Sequence, residues 1–477
     1  FRPPYEPLTN ITNTKLLCCN NSSPSGATVT PGTLNSETAT ASTDSPFDDP
    51  EGFKFGDGGD QNLVKCGSYK SDGSGNANIF LGFEPQWVMS KKTSGTSNWL
   101  IWDTMRGWTT TGVPDAFLLA DTNAAETATS DYGGPNSTGF DMNGTIGTDS
   151  DGIYIAIRRP DGLVGKPAEA GTDVFAMDTW VSDSTPNNQA NMISNFPVDF
   201  VLDRDPTYDG SWQGNWHVRG RLIQNLYLQT QSTAAQGTGT WGQFDYSDGW
   251  MNRQSLTGYT NWQSWMWKRH AGFDVVAYDG QSGVLQVPHS LNAVPEMIWV
   301  KARSGTYAQN QAWKVYHKGL NGGTTPQNYY LNLNGTAAEN TNANTWNNTA
   351  PTSTHFTLGS GDAEVSYDNY QYLAMLFASV DGISKVGYYT GTGNNQSVTT
   401  GFQPRFILIK RTSYAEDWFI FDSLRGLVSG TPDPYLRPNN PAAQVTTASF
   451  FDISSTGFTV TANFTNNANN YIYYAHA

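Results

Sequence analysis

Gly401-Phe402-Gln403-Pro404-Arg405-Phe406-Ile407-Leu408-Ile409, followed shortly by Trp418-Phe419-Ile420-Phe421, is the stretch that decides the fold. A proline near the start of a strand ends ladder pairing on one side and fixes the angle of approach, which is where sheets tolerate it. From Phe406 to Ile409 every position is apolar, without the alternation of a sheet that has one wet face. Such a short, β-branched run predicts a strand covered on both faces, as at the centre of a sandwich.

The same pattern occurs three more times. Its proline-led strands are Gly82-Phe83-Glu84-Pro85-Gln86-Trp87-Val88-Met89, Asn195-Phe196-Pro197-Val198-Asp199-Phe200-Val201-Leu202 and Ala293-Val294-Pro295-Glu296-Met297-Ile298-Trp299-Val300. A tryptophan strand follows each, at Trp99, Trp216, Trp313 and Trp418, and then a double alanine that begins at Ala124, Ala234, Ala337 or Ala442. The double alanine marks a place where a bulky side chain would not fit, read as close packing of a loop over the sheet. Each unit closes on an apolar strand: Ile153-Tyr154-Ile155-Ala156-Ile157, Trp265-Met266-Trp267, Leu373-Ala374-Met375-Leu376-Phe377 or Tyr471-Ile472-Tyr473-Tyr474. A spacing of roughly a hundred residues is too long for a solenoid and right for a small domain with its own core. The expected architecture is all-β: four tandem, jelly-roll-like β-sandwich repeats over 66–165, 166–271, 272–382 and 383–477, behind an extended arm over 1–65.

Composition agrees. The chain has 48 glycines, 24 prolines, 13% aromatic residues and only 14% charged ones. Helical periodicity over a dozen residues is absent, and short strands between turn signals predict sandwiches or barrels. Residues 20 to 46 are almost wholly Ser, Thr, Ala, Gly, Asn and Pro, a composition that buries little apolar surface. That tract reads as a connector that only a neighbour could order. Phe1 reads as the start of a processed chain or of a piece of something longer.

A net charge of −15 and a pI near 4.7 oppose binding to phosphate backbones, which calls for clustered Lys and Arg. Nucleic acid is therefore not an expected partner. Membrane insertion is not expected either, because no stretch approaches the roughly 20 apolar residues of a span. Cys18, Cys19 and Cys66 are too few for a disulfide framework, and no histidine lies near them to complete a zinc site. They read as reduced, buried thiols. Asn-x-Ser/Thr triplets at Asn10, Asn136, Asn143, Asn334 and Asn463 are what chance gives in so polar a chain.

The search for chemistry yields no catalytic residues, cofactor or metal site. The six histidines stand at unrelated points of the repeats, and no nucleophile elbow, zinc-protease helix motif or phosphate loop occurs. Asp149-Ser150-Asp151-Gly152 and Asp203-Arg204-Asp205 lack the length and distal glutamate of a calcium loop. Asp103 with Arg106, and Asp422 with Arg425, stand three apart before a glycine, a spacing that closes a turn by a charge-assisted hydrogen bond. Both pairs are expected to be structural clamps within their own domains. The second repeat carries eight of the sixteen tryptophans. Trp265 and Trp267 fall in the closing-strand core column and Trp216 in the tryptophan column. Trp212, Trp241 and Trp250, in glycine-rich surroundings, are left as candidate platforms for sugar rings.

The pattern Gly-Phe-x-Pro, Lys-Arg, Trp-x-x-x-Asp-x-x-Arg-Gly, Ala-Ala, Ser-Thr-Gly-Phe and Tyr-Ile-Tyr-Tyr-Ala, here Gly401 through Ala475, resembles a repeated domain of tail-fibre-like virion proteins of marine phages. Asn13 to Cys19 and Ala27 to Gly32 are similar to a join that, in those proteins, follows a concanavalin A-like (laminin G-type) lectin domain. Phe1-Arg2-Pro3-Pro4 resembles the last residues of such a lectin, which would place it just upstream. The resemblance implies a structural protein of a virion fibre or appendage that spaces or presents host-binding elements, with no catalytic residues to carry over. It also implies a homo-oligomer, a trimer in particular, with other virion proteins and a host surface glycan as further partners. The alternatives are a bacterial surface adhesin or filament subunit, and a tailspike-like enzyme that cleaves polysaccharide.

Overall fold

A computed structural model describes residues 63–477 apart from 111, 145–146, 165–166, 181–189, 240–241, 253–260, 431, 463 and 465–467. Ahead of these it describes only 10, 12–15, 17–18 and 27–29. Most of the expected arm over 1–65 therefore lies outside the described residues. The fold is all-β and antiparallel, with four sandwich-like units in sequence.

Each repeat builds its large sheet in one strand order: opening, closing, proline-led, tryptophan. In the first repeat these strands are Val64–Lys70, Asp151–Arg158, Pro85–Lys92 and Leu100–Asp103. In the second they are Phe175–Trp180, Trp262–Trp267, Phe200–Arg204 and His217–Gly220. In the third they are Phe273–Asp279, Gln371–Phe377, Met297–Ser304 and Lys314–His317. In the fourth they are Ser384–Thr390, Asn470–His476, Phe406–Arg411 and Trp418–Asp422. A smaller sheet of two or three strands covers one face of each; in the fourth repeat it is built from Gln396–Thr399, Gly457–Val460 and Phe451–Ser454.

The turn that delivers each proline-led strand explains one recurrent residue choice. Gly82, Asn195, Asn292 and Gly401 all have positive φ, 83°, 67°, 56° and 93°. A β-branched residue would be strained there, whereas glycine and asparagine adopt the conformation readily.

Both faces of the large sheets of repeats two to four are covered, but by different partners. In the fourth repeat Ile407, Ile409, Phe421, Tyr471 and Tyr473 point into its own sandwich core with Phe451 and Phe458. The alternate residues Phe406, Leu408, Trp418, Ile420, Ile472 and Tyr474 join Phe200, Leu202, Trp216 and Trp265 of the second repeat and Met297, Trp299, Trp313 and Met375 of the third in one continuous core. The unbroken apolar run thus has a cause beyond a sandwich centre: its second cover is a pair of sibling repeats. Tandem in sequence, repeats two to four meet in space through equivalent faces. The first repeat has a separate core, in which Val88, Trp102 and Tyr154 of the large sheet's inner face meet Phe83, Trp108 and Phe140.

Candidate functional site

The recurrent markers of repeats two, three and four assemble along the seams between them. Lys410 pairs across the sheet with Trp418, and the registers place Arg204 opposite Trp216 and Lys301 opposite Trp313 in the same way. Trp216 Nε1 donates to the Arg437 carbonyl at 2.8 Å, so the second repeat reaches the fourth. Trp418 Nε1 donates to the Asn332 carbonyl at 3.0 Å, from fourth to third. Trp313 Nε1 donates to the Gln229 carbonyl at 2.9 Å, from third back to second. Three unlike contacts that return to their starting point make a closed ring.

The cation beside each tryptophan follows the same circuit. Arg204 Nη2 donates to the carbonyls of Pro441 and Ala442 at 3.1 and 3.0 Å. Lys301 Nζ reaches the Thr233 carbonyl at 3.1 Å and Lys410 Nζ the Thr336 carbonyl at 3.4 Å. These acceptors lie in or just before the double alanines. The residue after each double alanine closes the loop onto its neighbour: the amides of Gln236, Glu339 and Gln444 donate to the carbonyls of Arg303, Thr412 and Pro206, each at 2.8 Å. A neighbouring repeat's buried cation and backbone thus bracket each double-alanine loop through its main chain. Burial pushes the Lys301 amine down to about 7 and the Lys410 amine down to about 8, with Glu364 and Glu416 respectively opposing the shift. Lys301 also donates to Ala302, Ala308 and Gln311 carbonyls at 3.0, 3.3 and 2.8 Å. Its protons are spent on structure.

The clamps form as turns. Arg106 Nε donates to Asp103 Oδ2 at 2.6 Å and its amide to Oδ1 at 2.8 Å. Arg425 Nε donates to Asp422 Oδ2 at 2.7 Å and its amide to Oδ1 at 2.9 Å. The expectation that each acts within its own domain fails for Asp422. Its carboxylate also accepts from Trp265 Nε1 at 3.0 Å and Gln263 Nε2 at 3.3 Å, both in the second repeat. The Asp422 and Arg425 side chains are buried, whereas Arg106 keeps a quarter of its surface and also meets Glu126 at 3.0 Å. In the third repeat His317 takes the place of the aspartate: Gly319 N–H donates to its Nδ1 at 2.9 Å, and Nε2 lies 3.3 Å from the Tyr473 carbonyl of the fourth repeat.

The tryptophan candidates divide. Trp250 is buried, stacks on Phe244 at 5.5 Å and donates Nε1 to Ser264 Oγ at 2.9 Å, so it is a core residue and not a sugar platform. Its glycine-rich surroundings belong to a small-sheet strand, Gly249–Asn252, where a large ring fills the sandwich. Trp241 lies outside the described residues. Trp212 is half-buried, with His217 at 4.1 Å and Tyr227 edge-on at 5.0 Å.

Two other polar features attach the first repeat. At its junction with the second and third, Arg159 meets Glu84 and Asp274 at 3.2 and 2.7 Å, and Arg269 meets Glu84 at 2.6 Å, all four side chains buried. Thr110 accompanies them, its amide donating to the Leu222 carbonyl at 2.9 Å. A cavity of about 430 Å³ in the first repeat is lined by Tyr69, Ser90, Lys92, Asn98, Leu100 and Tyr132, among others. Nearby, burial pushes the Asp115 carboxyl up to about 8, and it accepts backbone N–H groups from Tyr132 and Thr109. Asp433 accepts from Phe450 and Phe451 amides at the matching place in the fourth repeat, which marks this carboxyl as a recurrent loop fastener. Among the described residues no group of His, Cys, Asp and Glu is arranged to hold a metal ion, and no helix is long and apolar enough to cross a membrane.

The seam cations escaped the sequence reading, although the Lys-Arg after the proline-led strand was visible as part of the repeated pattern. No curated protein matches the chain. Residues 13–157 and 246–477, well over half of the sequence, match one family, and the chain belongs to it: the family described as a domain of unknown function, DUF7483.

Proposed function

We propose that the chain is a non-enzymatic structural protein of a phage virion, a fibre or appendage segment that spaces or presents host-binding elements. The observation that supports a structural role most is the closed ring of seam bonds, which fastens three repeats into one body. A body fastened in this way suits a spacer, and a virion appendage is the setting that the repeat pattern resembles. Buried charge in this chain is spent on fastening: the Glu84, Arg159, Arg269 and Asp274 cluster joins three repeats. A host surface glycan is a further partner under this reading, with the half-buried Trp212 as the candidate contact.

The test is immuno-electron microscopy with antibody against this chain, applied to phage particles and to cells from the source population. Label on particle appendages is expected. Label on the cell envelope alone would favour the adhesin reading, and new reducing ends released from host polysaccharide by the purified chain would favour the enzyme.

A further inference from the structure

The first repeat carries the same seam apparatus as its siblings, and among the described residues nothing stands opposite it. By strand register, Trp87, Met89 and Ile155 occupy the places of Phe406, Leu408 and Tyr474 in the fourth repeat. Those three are 2%, 1% and 1% exposed because they lie in the shared core. On the first repeat the same face is open. Ile153 and Ile157 are 39% and 41% exposed, Val64 beside them is 52% exposed, and Trp87, Met89 and Ile155 are only half-buried.

We propose that this face is an interface between three copies of the chain, whose first repeats close into the ring that repeats two to four form within one chain. The chemistry of the face fits copies of itself, since three sequence variants of it already pack on one another in the shared core. The closing strand is apolar at every position from Ile153 to Ile157, the signature that in the siblings accompanies cover on both faces. The fastenings are also present. Trp99 N–H is held by Asp121 Oδ1 at 3.3 Å, as Trp313 N–H is by Asn334 at 2.9 Å and Trp418 N–H by Asn439 at 3.0 Å. Lys91 stands at the cation position, its Nζ 5.7 Å from the Trp99 ring, and Ala125 and Glu126 are exposed where the matching sibling residues are partly covered. Transferred by register, Trp99 Nε1 donates to the carbonyl of the partner subunit's Leu119, and the Glu126 amide donates to the carbonyl of the partner subunit's Thr93. The contact is head-to-tail, so two copies would leave one edge unmatched and three close it. This inference stands on the register and exposure of the face, whether or not the chain belongs to a virion.

The test uses the full chain. Size-exclusion chromatography with light scattering is expected to give three times the 52.1 kDa chain mass. Ile155→Arg places a charge at the centre of the face and is expected to give a monomer with unchanged far-ultraviolet circular dichroism. Ile153→Glu and Ile157→Arg, at more exposed positions, serve if that variant fails to fold. Cys66 is not buried as the sequence suggested: its strand's outward face is uncovered, so its free thiol is exposed there and serves as a built-in reporter. Maleimide labelling at Cys66, read by peptide mass spectrometry, is expected to be at least tenfold slower in the wild type than in the monomeric variant. A wild-type monomer or dimer at tens of micromolar would overturn the proposal. So would a trimer that survives all three substitutions, or a wild-type monomer with Cys66 protected, which would mean that the chain covers its own face.

Discussion

The first and fourth repeats share strand order, register, a tryptophan strand and an Asp-Arg turn, yet their large sheets live in different surroundings. In the fourth repeat Leu408, Trp418 and Ile472 are buried against two siblings, and Asp422 reaches into the second repeat. In the first, Met89, Trp99 and Ile153 hold the same register positions on a face that no described residue covers, and Asp103 pairs at its own rim with Arg106, which also meets Glu126. Sequence similarity among repeats therefore records two kinds of constraint. One shapes the sandwich, and the other shapes the surface by which sandwiches meet. Where a second-kind residue persists without an internal neighbour, an external one is the physical reason to look for.

The largest expected contrast is between equivalent tryptophans. Trp418→Ala removes a buried ring and its hydrogen bond to the Asn332 carbonyl, at a cost of about 3–5 kcal/mol. Trp99→Ala, made in the monomeric Ile155→Arg chain, is expected to cost less than about 1 kcal/mol, as surface changes do. Urea unfolding of both variants checks it; equal costs would erase the difference between the two settings.

The Asp-Arg turns give the next contrast. Removing one partner from Asp422 and Arg425 leaves a buried charge uncompensated, which costs on the order of 3–5 kcal/mol, whereas removing both costs much less. For Asp103 and Arg106, which solvent partly screens, the single changes are expected to cost about 1 kcal/mol or less. Double-mutant cycles on Asp422→Asn with Arg425→Met, and on Asp103→Asn with Arg106→Met, read both couplings by thermal unfolding. If the single changes at Asp422 and Arg425 leave stability untouched but abolish binding to host cells, the pair is a recognition site.

The smallest effect is a pH slope. Lys301 and Lys410 have amines depressed by burial to about 7 and about 8, against 10.5 when unfolded. Between about pH 8 and 10 the unfolded chain therefore binds more protons than the folded one, so stability contributed at these sites rises with pH. Asp115, raised to about 8, acts in the opposite sense, but only below that pH. Tyrosines raised by burial, such as Tyr473, weaken the fold only above about pH 10. The urea midpoint is expected to increase between those limits, and the Lys301→Met, Lys410→Met chain is expected to lose most of that slope. A slope unchanged in the double variant would place its origin elsewhere.

Much of the fold could be read from the chain because its causes are local. Proline-led strands, positive-φ glycine or asparagine, and continuous apolar runs each require a particular backbone or cover. The runs said that both faces were covered, and the structure supplies the second cover: sibling repeats, which no single repeat's pattern names. Trp250 misled because a glycine beside a large ring looks like a loop, whereas Gly249 here makes room in a small-sheet strand whose Cβ would strike the Met192 carbonyl. The seam cations were hidden for a related reason. Arg204, Lys301 and Lys410 come just after the apolar runs of their strands, where solvent-facing residues often stand, and only the docked loop of a neighbour turns them into buried pins.

The central claim is that one interface is used twice, within the chain by repeats two to four and between chains by the first repeat. The most direct measurement is cross-chain disulfide trapping with Thr93→Cys and Glu126→Cys in a chain whose Cys18, Cys19 and Cys66 are replaced by serine. The matching sibling positions are joined amide to carbonyl at 2.8 Å, as from Gln444 to Pro206, an approach compatible with disulfide geometry. Mild oxidation is expected to give covalent dimers and trimers on non-reducing gels, to leave either single-cysteine chain monomeric, and to be suppressed by Ile155→Arg. Oxidation that leaves the doubly substituted chain monomeric, or that cross-links it equally well with Ile155→Arg present, would contradict the account.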